Sequence, residues 1–237
     1  MKIPNYYEIR KKVFDRLAWF LSKNELHHGI ENVSGSVELI HEFTEKYVGH
    51  GYYASLHSHQ VRSEIIALGK LIQDFHPRRI LEIGTKKGGT LFLWSRSNID
   101  ASLIMSVDLP GGLFGGGYTT ERRKLYKEFI YDRPDSIMHL LQANSHDEST
   151  YMKVQEILNN NFLDFIFIDG DHTYEGVKQD FLMYSKLVKN GIIAFHDIAH
   201  HSEDCGVDQL WSELKLTYKT QEFIETNSNK GIGVVFL

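Results

Sequence analysis

The stretch Phe165-Ile166-Phe167-Ile168-Asp169-Gly170-Asp171-His172 sets two carboxylates and an imidazole directly behind four apolar residues. Side chains of these types can hold a cation, orient a polar ligand or move a proton. A short apolar run is the middle of a buried strand, so the charged groups stand at that strand's mouth. Four further polar groups follow apolar runs in the same way: Glu82 to Gly89, Asp108, Asn144 to Asp147, and His196 with Asp197. Gly84 lets the chain turn off its strand, and Gly88 with Gly89 let a ligand approach the backbone where a helix starts. Glu82 suits a cationic ligand or an ammonium group and would repel a pyrophosphate. The spacing also departs from the G-x-G-x-x-G dinucleotide pattern. Asp108 can accept both hydroxyls of a ribose, or it can cap a loop. Asn144, Ser145 and His146 can face an adenine ring, while Ser145 or Asp147 can equally cap the next helix.

These groups can act together only if the fold brings them to one edge. After Pro77 the chain alternates short β-rich runs with helical patterns of ten to fifteen residues. The strands are RILEIG, SLIMSVD, SIMHLLQ, FLDFIFID and GIIAFHD. The helices follow at GGTLFLWSRS, Thr120 to Tyr131, Asp147 to Leu158, Tyr174 to Val188, and Val207 to Leu216. Such alternation predicts right-handed βαβ units and a parallel sheet covered on both faces. The tail holds two strands around the polar turn TNSNKG, so the sheet should close with an antiparallel member. In an open parallel sheet ligands bind beyond the carboxyl ends of the strands, where strand order reverses. All five polar groups are predicted to meet there. Before Pro77, Ile9, Val13, Leu17 and Leu21 form one stripe of a helix from about Tyr6 to Lys23. Weaker periodicity covers Val37 to Tyr47, and a clear helix carries Val61, Ile65, Leu68, Ile72 and Phe75. An aromatic and histidine-rich segment, GHGYYASLHSHQ, separates the last two.

Composition excludes several classes. The 237 residues are 42% hydrophobic, enough for a sizeable core. The net charge of −5, with no block of Lys or Arg, argues against a nucleic-acid partner. The single cysteine, Cys205, rules out an internal disulfide or a cysteine-built zinc cage. No apolar window approaches a membrane span and the start lacks a signal-peptide core, which predicts a cytoplasmic protein.

LEIGTKKGGT, the acid of SVDLP, FIFIDGDHTYEGVKQD, GIIAFHDI and the terminal hairpin together resemble a class I S-adenosylmethionine-dependent methyltransferase, over about residues 60–237. Within that class the chain most resembles small-molecule O-methyltransferases acting on sugars and antibiotics. Proteins described as cephalosporin hydroxylases share the pattern. The resemblance implies a Rossmann-like, doubly wound, mostly parallel seven-stranded sheet with an antiparallel C-terminal strand. It leaves residues 1–58 as an N-terminal helical extension, for capping or oligomerisation, and 59–237 as the cofactor-binding domain. Glu82, Gly84 and Gly88 would then line the methionine part of the cofactor, with Asp108 on the ribose and Asn144 and Ser145 near the adenine. Asp169, His196 and Asp197 match the positions that hold a divalent metal in metal-dependent relatives. His196 stands where an oxygen ligand is usual, and magnesium prefers oxygen. Asp169 and Asp197, with waters and substrate oxygens, can still hold magnesium.

Methyl transfer to a hydroxyl needs a base or a metal to raise its nucleophilicity. His172, just beyond the strand, is the expected base beside Asp169; Asp171 would orient it or cap the next helix. The expected partner is a small-molecule acceptor, a sugar or sugar-bearing metabolite, with no nucleic acid or membrane and with a homo-oligomer left open. The long glycine-rich stretch DLPGGLFGGGYTTERR reads either as a substrate lid or as a tolerated surface excursion, with Arg122 and Arg123 as candidate phosphate ligands. Rival readings are a hydroxylase-like enzyme on the same fold and a non-catalytic cofactor-binding partner of a biosynthetic enzyme.

Overall fold

The structure, a computed structural model, describes residues 6–33, 35–111 and 116–237, with side chains from Arg10 onward. The side chain of Ile9, in the first helical stripe, and the tip of the glycine-rich loop lie outside what is described.

Five parallel strands form where the apolar runs predict: β1 (Arg79–Ile83), β2 (Leu103–Asp108), β3 (Ile137–Gln142), β4 (Leu163–Ile168) and β5 (Val188–His196). Two more, β6 (Lys219–Phe223) and β7 (Ile232–Phe236), complete one sheet in the order β3-β2-β1-β4-β5-β7-β6. The chain winds outward from β1 through β2 to β3, then restarts at β4 on the other side, so the reversal lies between β1 and β4. The last strand is antiparallel to both of its neighbours and sits inside the sheet, with β6 at the edge. Composition explains this order. Ile232, Val234 and Val235 of β7 are fully buried, whereas β6 reads Lys-Thr-Gln-Glu-Phe and tolerates the solvated edge.

Helices cover both faces, and the sheet separates two apolar layers. In one layer Trp94 of α4 (Gly89–Ser97) meets the rings of Phe165 and Phe167 edge to face, with centroids 5.1 and 5.4 Å away. Leu26, Ile30, Val37, Ile40, Tyr47, Tyr53 and Leu56 belong to this same layer. They come from α1 (Tyr6–Asn32), α2 (Val37–Lys46) and the segment that follows. Burying each such aliphatic side chain contributes ~1.5–3 kcal/mol. The N-terminal helices are therefore packed as part of the sheet's own core.

The structure corrects the predicted elements in four places. The first helix runs on to Asn32, and its apolar stripe faces outward: Val13, Phe14, Leu17, Phe20 and Leu21 are all exposed. It packs inward through Ala18, Ser22, Leu26 and Ile30, where small residues allow close approach. Periodicity reveals a stripe but not the side on which the core lies. The predicted helix over Thr120 to Tyr131 is broken into two 3-10 turns around α5 (Arg123–Lys127). The helix predicted to reach Val188 ends earlier, as α7 (Tyr174–Tyr184), because Val188 is already paired with Leu163 of β4. The glycine-rich phosphate reading of Arg122 also fails: its guanidinium is consumed by the fold, as described below. The remaining helices, α3 (Arg62–Phe75), α6 (Glu148–Leu158) and α8 (Val207–Leu214), lie close to their predicted ranges.

Candidate active site

A cavity of about 780 Å³ opens along the carboxyl ends of the parallel strands, across the β1/β4 reversal. Gly84, Asp108, Asn144, Ser145, Asp169, His172, His196 and Asp197 all line it. Residues scattered over more than a hundred positions thus share one chamber.

Gly84 ends β1 with φ +89°, a conformation that favours glycine, and a Cβ there would lie 2.0 Å from the Asp169 carbonyl oxygen. The ends of β1 and β4 can approach only because that side chain is missing. Gly88, with φ +82°, faces the Tyr126 ring and not the cavity. Glu82 is fully buried behind Thr85 and Thr90, which do line the cavity. Neither of its carboxyl oxygens has a hydrogen-bond partner. Burial pushes this carboxyl up to about 8.

Asp108 holds the turn after β1. Its Oδ2 accepts from the backbone N–H groups of Thr85 (2.9 Å) and Lys86 (2.6 Å), and its Oδ1 accepts from Leu109 (2.8 Å). The loop-capping role is therefore real, and the carboxylate keeps unused lone pairs toward the cavity. On the third strand's end, Asn144 Oδ1 accepts from the N–H of His146 at 3.0 Å, and Ser145 O accepts from Tyr184 Oη of α7 at 2.9 Å. The same helix pairs buried Asp180 with His146 at 3.4 Å, so α7 braces this loop from behind.

The charged centre lies at the ends of β4 and β5. His172 Nε2 is 3.3 Å from Asp169 Oδ1, and His172 Nδ1 is 3.1 Å from Asp197 Oδ2. His196, almost fully buried, sits beneath with Nδ1 3.2 Å from Asp169 Oδ1 and 3.3 Å from Asp197 Oδ2. Adjacent side chains on a strand alternate in direction. Asp197 escapes that rule because its φ of +62° turns the chain, letting both neighbours reach one chamber. The Asp169 contact, then the Asp197 contact, lifts the His172 imidazole to about 10. Burial alone would lower His196, but the same two carboxylates outweigh it and raise it to about 9. Burial would raise Asp169 and Asp197, but the imidazoles win and hold both well below the usual carboxylate range. Asp171 is a local cap: its Oδ1 accepts from the N–H and the hydroxyl of Thr173, so it does not orient His172.

Asp169, His172 and Asp197 each offer a ligand atom, all within 4.8 Å of one another. Asp197 Oδ1 is buried with no hydrogen-bond partner among the described residues. His200 Nδ1 stands 3.9 Å from that oxygen, too far for a hydrogen bond, and two convergent carboxylates with an imidazole fit a divalent cation. The sequence had placed His196 in this group and reserved His172 for proton transfer; the geometry brings both imidazoles against both acids.

Sequence reading missed two contributors. Gln60, from the histidine-rich segment, donates through Nε2 to Asp169 Oδ2 at 2.8 Å. Lys230, from the β6–β7 turn, reaches the cavity and donates to the His59 carbonyl at 2.7 Å. Neither belongs to a strand-end pattern. The one available signal was the polarity of the segment between two apolar helices. Arg122 links this segment to the β1 turn. Its guanidinium donates to the carbonyls of Tyr52 (2.8 Å), Ser55 and Lys87 (2.8 Å), and its Nε to Tyr126 Oη (2.9 Å).

Residues 81–198, about half of the chain, match a family model described as a methyltransferase domain. An uncharacterised protein of Sinorhizobium fredii is 26% identical over 171 residues, and one of Acanthamoeba polyphaga mimivirus is 32% identical over 118. The matches take in 70% and 49% of this chain but only 18% and 50% of those proteins, so this chain spans half or less of the curated relatives it matches. Among solved structures, the O-methyltransferase of Bacillus cereus, in complex with S-adenosylhomocysteine, superposes with a TM-score of 0.53 at 18% identity. It covers 77% of this chain and 84% of its own. MycE, the methyltransferase of mycinamycin biosynthesis, in complex with magnesium, S-adenosylhomocysteine and mycinamycin VI, gives 0.55 at 13% identity, over 86% of this chain and 53% of its own. The matched domain and the strand order place this chain in the class I S-adenosylmethionine-dependent methyltransferase family.

Proposed function

We propose that the chain transfers a methyl group from S-adenosylmethionine to a hydroxyl oxygen of a small molecule, a sugar or sugar-bearing metabolite, with a divalent cation held by Asp169 and Asp197. The observation that carries this reading is His172, set between those two carboxylates at the carboxyl ends of β4 and β5. Gly84, Asp108, Asn144 and Ser145, all on the cavity lining, would hold the cofactor, and the buried carboxyl of Glu82, behind Thr85 and Thr90, would act on the methionine ammonium from outside that lining. The O-methyltransferase of similar fold supports the choice of oxygen, and MycE, solved with magnesium and mycinamycin VI, supports the metal. Residues 1–58 serve as a cap over the cavity, which they reach through His57 and Ser58.

Transfer is an in-line displacement, in which the acceptor oxygen attacks the methyl carbon as the C–S bond breaks. His172 accepts the hydroxyl proton, and Asp169 and Asp197 stabilise the imidazolium that results. Bound between the carboxylates, a divalent cation would offset their charge, so that His172 can shed its resting proton, and would acidify the acceptor hydroxyl. Gln60 fixes one Asp169 oxygen, leaving the other for His172 or the cation. The test is transfer of isotope-labelled methyl from S-adenosylmethionine to a panel of hydroxyl-bearing sugars and glycosides. The assay is run with magnesium or manganese and with a chelator. Cofactor binding without label transfer to any acceptor would favour the binding-partner reading, and full activity in chelator would remove the metal.

We also propose that a second copy of the chain covers the exposed stripe of α1. Five large apolar residues on one side of one helix exceed the scattered apolar surface normal for a monomer.

A further inference from the structure

The cavity is also lined by cationic and imidazole groups that the proposed reaction does not use. Lys86, Lys87, His57, His59 and Lys230 all line it. The rings of His57 and His59 stack at 4.5 Å. Lys230 is tied to His59 through the His59 carbonyl, and its own carbonyl accepts from Ala199 at 2.7 Å, two residues beyond Asp197. His59 directly precedes Gln60, which touches Asp169. This group is therefore joined to the charged centre from both sides.

Its three lysines form no ion pair among the described residues, and the four aspartates that share the lining, Asp108, Asp169, Asp171 and Asp197, are already engaged by backbone N–H groups, imidazoles or Thr173. His57 has one carboxylate partner, Glu45, at 3.0 Å. Neither Lys86 nor Lys87 makes a side-chain hydrogen bond or ion pair among the described residues. Partial burial, and then Lys87, His57, Lys86 and Lys230, hold the His59 imidazole below its ordinary value, with no carboxylate to offset them. This concentration of positive charge occurs in a chain whose net charge is −5. The cofactor does not account for it. S-adenosylmethionine brings one carboxylate but also an ammonium and a sulfonium, so it adds positive charge to the chamber. Lys86 is also held at φ +46°, its N–H bound to Asp108, so the turn that cradles the cofactor fixes where the two lysines emerge.

Resting on the methyltransferase reading above, we propose that the acceptor is a phosphate ester, its phosphoryl oxygens gripped by Lys86, Lys87 and Lys230 beside His59, so that its hydroxyl is presented to His172. A phosphate offers two charges and at least three acceptor oxygens to these donors, where a carboxylate offers one charge and two oxygens. A neutral sugar would leave the lysines facing a cationic cofactor across the chamber.

The test uses the whole chain saturated with S-adenosylhomocysteine, in chelator-treated buffer, titrated calorimetrically with inorganic phosphate, pyrophosphate and acetate. Phosphate and pyrophosphate are expected to bind, acetate far more weakly. The Lys87→Ala/Lys230→Ala double variant is expected to lose about tenfold or more in pyrophosphate affinity while S-adenosylhomocysteine affinity is kept. Both lysines reach solvent, and Lys87→Glu gives a second, charge-reversed check with a larger expected loss. Acetate binding as tightly as phosphate would overturn the phosphate ester in favour of a carboxylate. An equal loss of S-adenosylhomocysteine affinity in the variants would assign the lysines to the cofactor and overturn the proposal. If the cofactor product binds but no anion does, this inference alone fails. If the cofactor product itself does not bind, the methyltransferase reading fails and takes this one with it.

Discussion

Gln60 donates to Asp169 across 109 positions of sequence, at 2.8 Å, and is the direct link between the N-terminal helices and the charged centre. A neutral amide holding one carboxylate oxygen leaves the other oxygen's direction fixed. Gln60→Ala should therefore loosen the site without unfolding the chain. We expect manganese affinity, read by electron paramagnetic resonance, to fall about tenfold or more, in line with ~1.5–3 kcal/mol for a hydrogen bond to a charged group. Asp169→Asn and Asp197→Asn should abolish manganese binding. In the parent chain that affinity should rise with pH, because His172 is lifted to about 10 and must release its proton to coordinate or make room. Manganese affinity independent of all three substitutions would refute the assignment.

Glu82 gives a second pH signature. Its carboxyl is raised from 4.5 to about 8 in the folded chain. With the folded value above the unfolded one, its favourable contribution is full below about pH 4.5 and is lost as the pH climbs toward 8. A cationic ammonium beside it reverses the preference and drives the proton off. S-adenosylhomocysteine binding near neutral pH should thus release up to one proton, seen as a dependence of the calorimetric heat on buffer ionisation enthalpy. Glu82→Gln should erase that dependence, weaken binding, and make the ligand-free chain more stable at pH 8. Proton release that persists in the variant would place its source elsewhere.

Arg122 ties the backbone at Tyr52, Ser55 and Lys87 to the Tyr126 hydroxyl. Arg122→Ala leaves carbonyls without partners in a partly buried seam and should cost ~2–4 kcal/mol in urea denaturation. Lysine, lacking the planar fork, should restore little of it. A loss below ~0.5 kcal/mol would show that the clamp is ornamental.

The outward stripe of α1 predicts self-association. Light scattering after size exclusion should give twice the chain mass, and a Phe14→Glu/Leu17→Glu variant should run as a monomer with an unchanged thermal midpoint. A monomeric parent chain would discard the second copy as the occupant of that stripe.

The sheet was legible because its strands are buried on both faces and read as unbroken apolar runs. Once the alternation of strand and helix was clear, the strand-end rule gathered Asp108, Asp169, His172, His196 and Asp197 from distant positions into one chamber. What the sequence concealed was set by contacts without periodicity. The inward side of α1 depends on Ala18, Ser22 and Gly29, small residues that leave a weak hydrophobic signal. The place of β7 inside the sheet follows from a comparison of its burial with that of β6. Gln60 and Lys230 reach the cavity from a loop and a turn, where spacing carries no orientation. Gly88 looked like a ligand cradle, yet its missing side chain makes room for the Tyr126 ring.

Leu26, Ile30, Val37, Ile40 and Leu56 lie in one apolar layer with Ile80, Leu91 and Phe165. The leading helices are therefore not a tethered appendage: removing them would strip one face of the sheet of its cover. A substitution that reshapes the histidine-bearing segment acts on the hydrophobic interior beneath it as well as on the cavity wall.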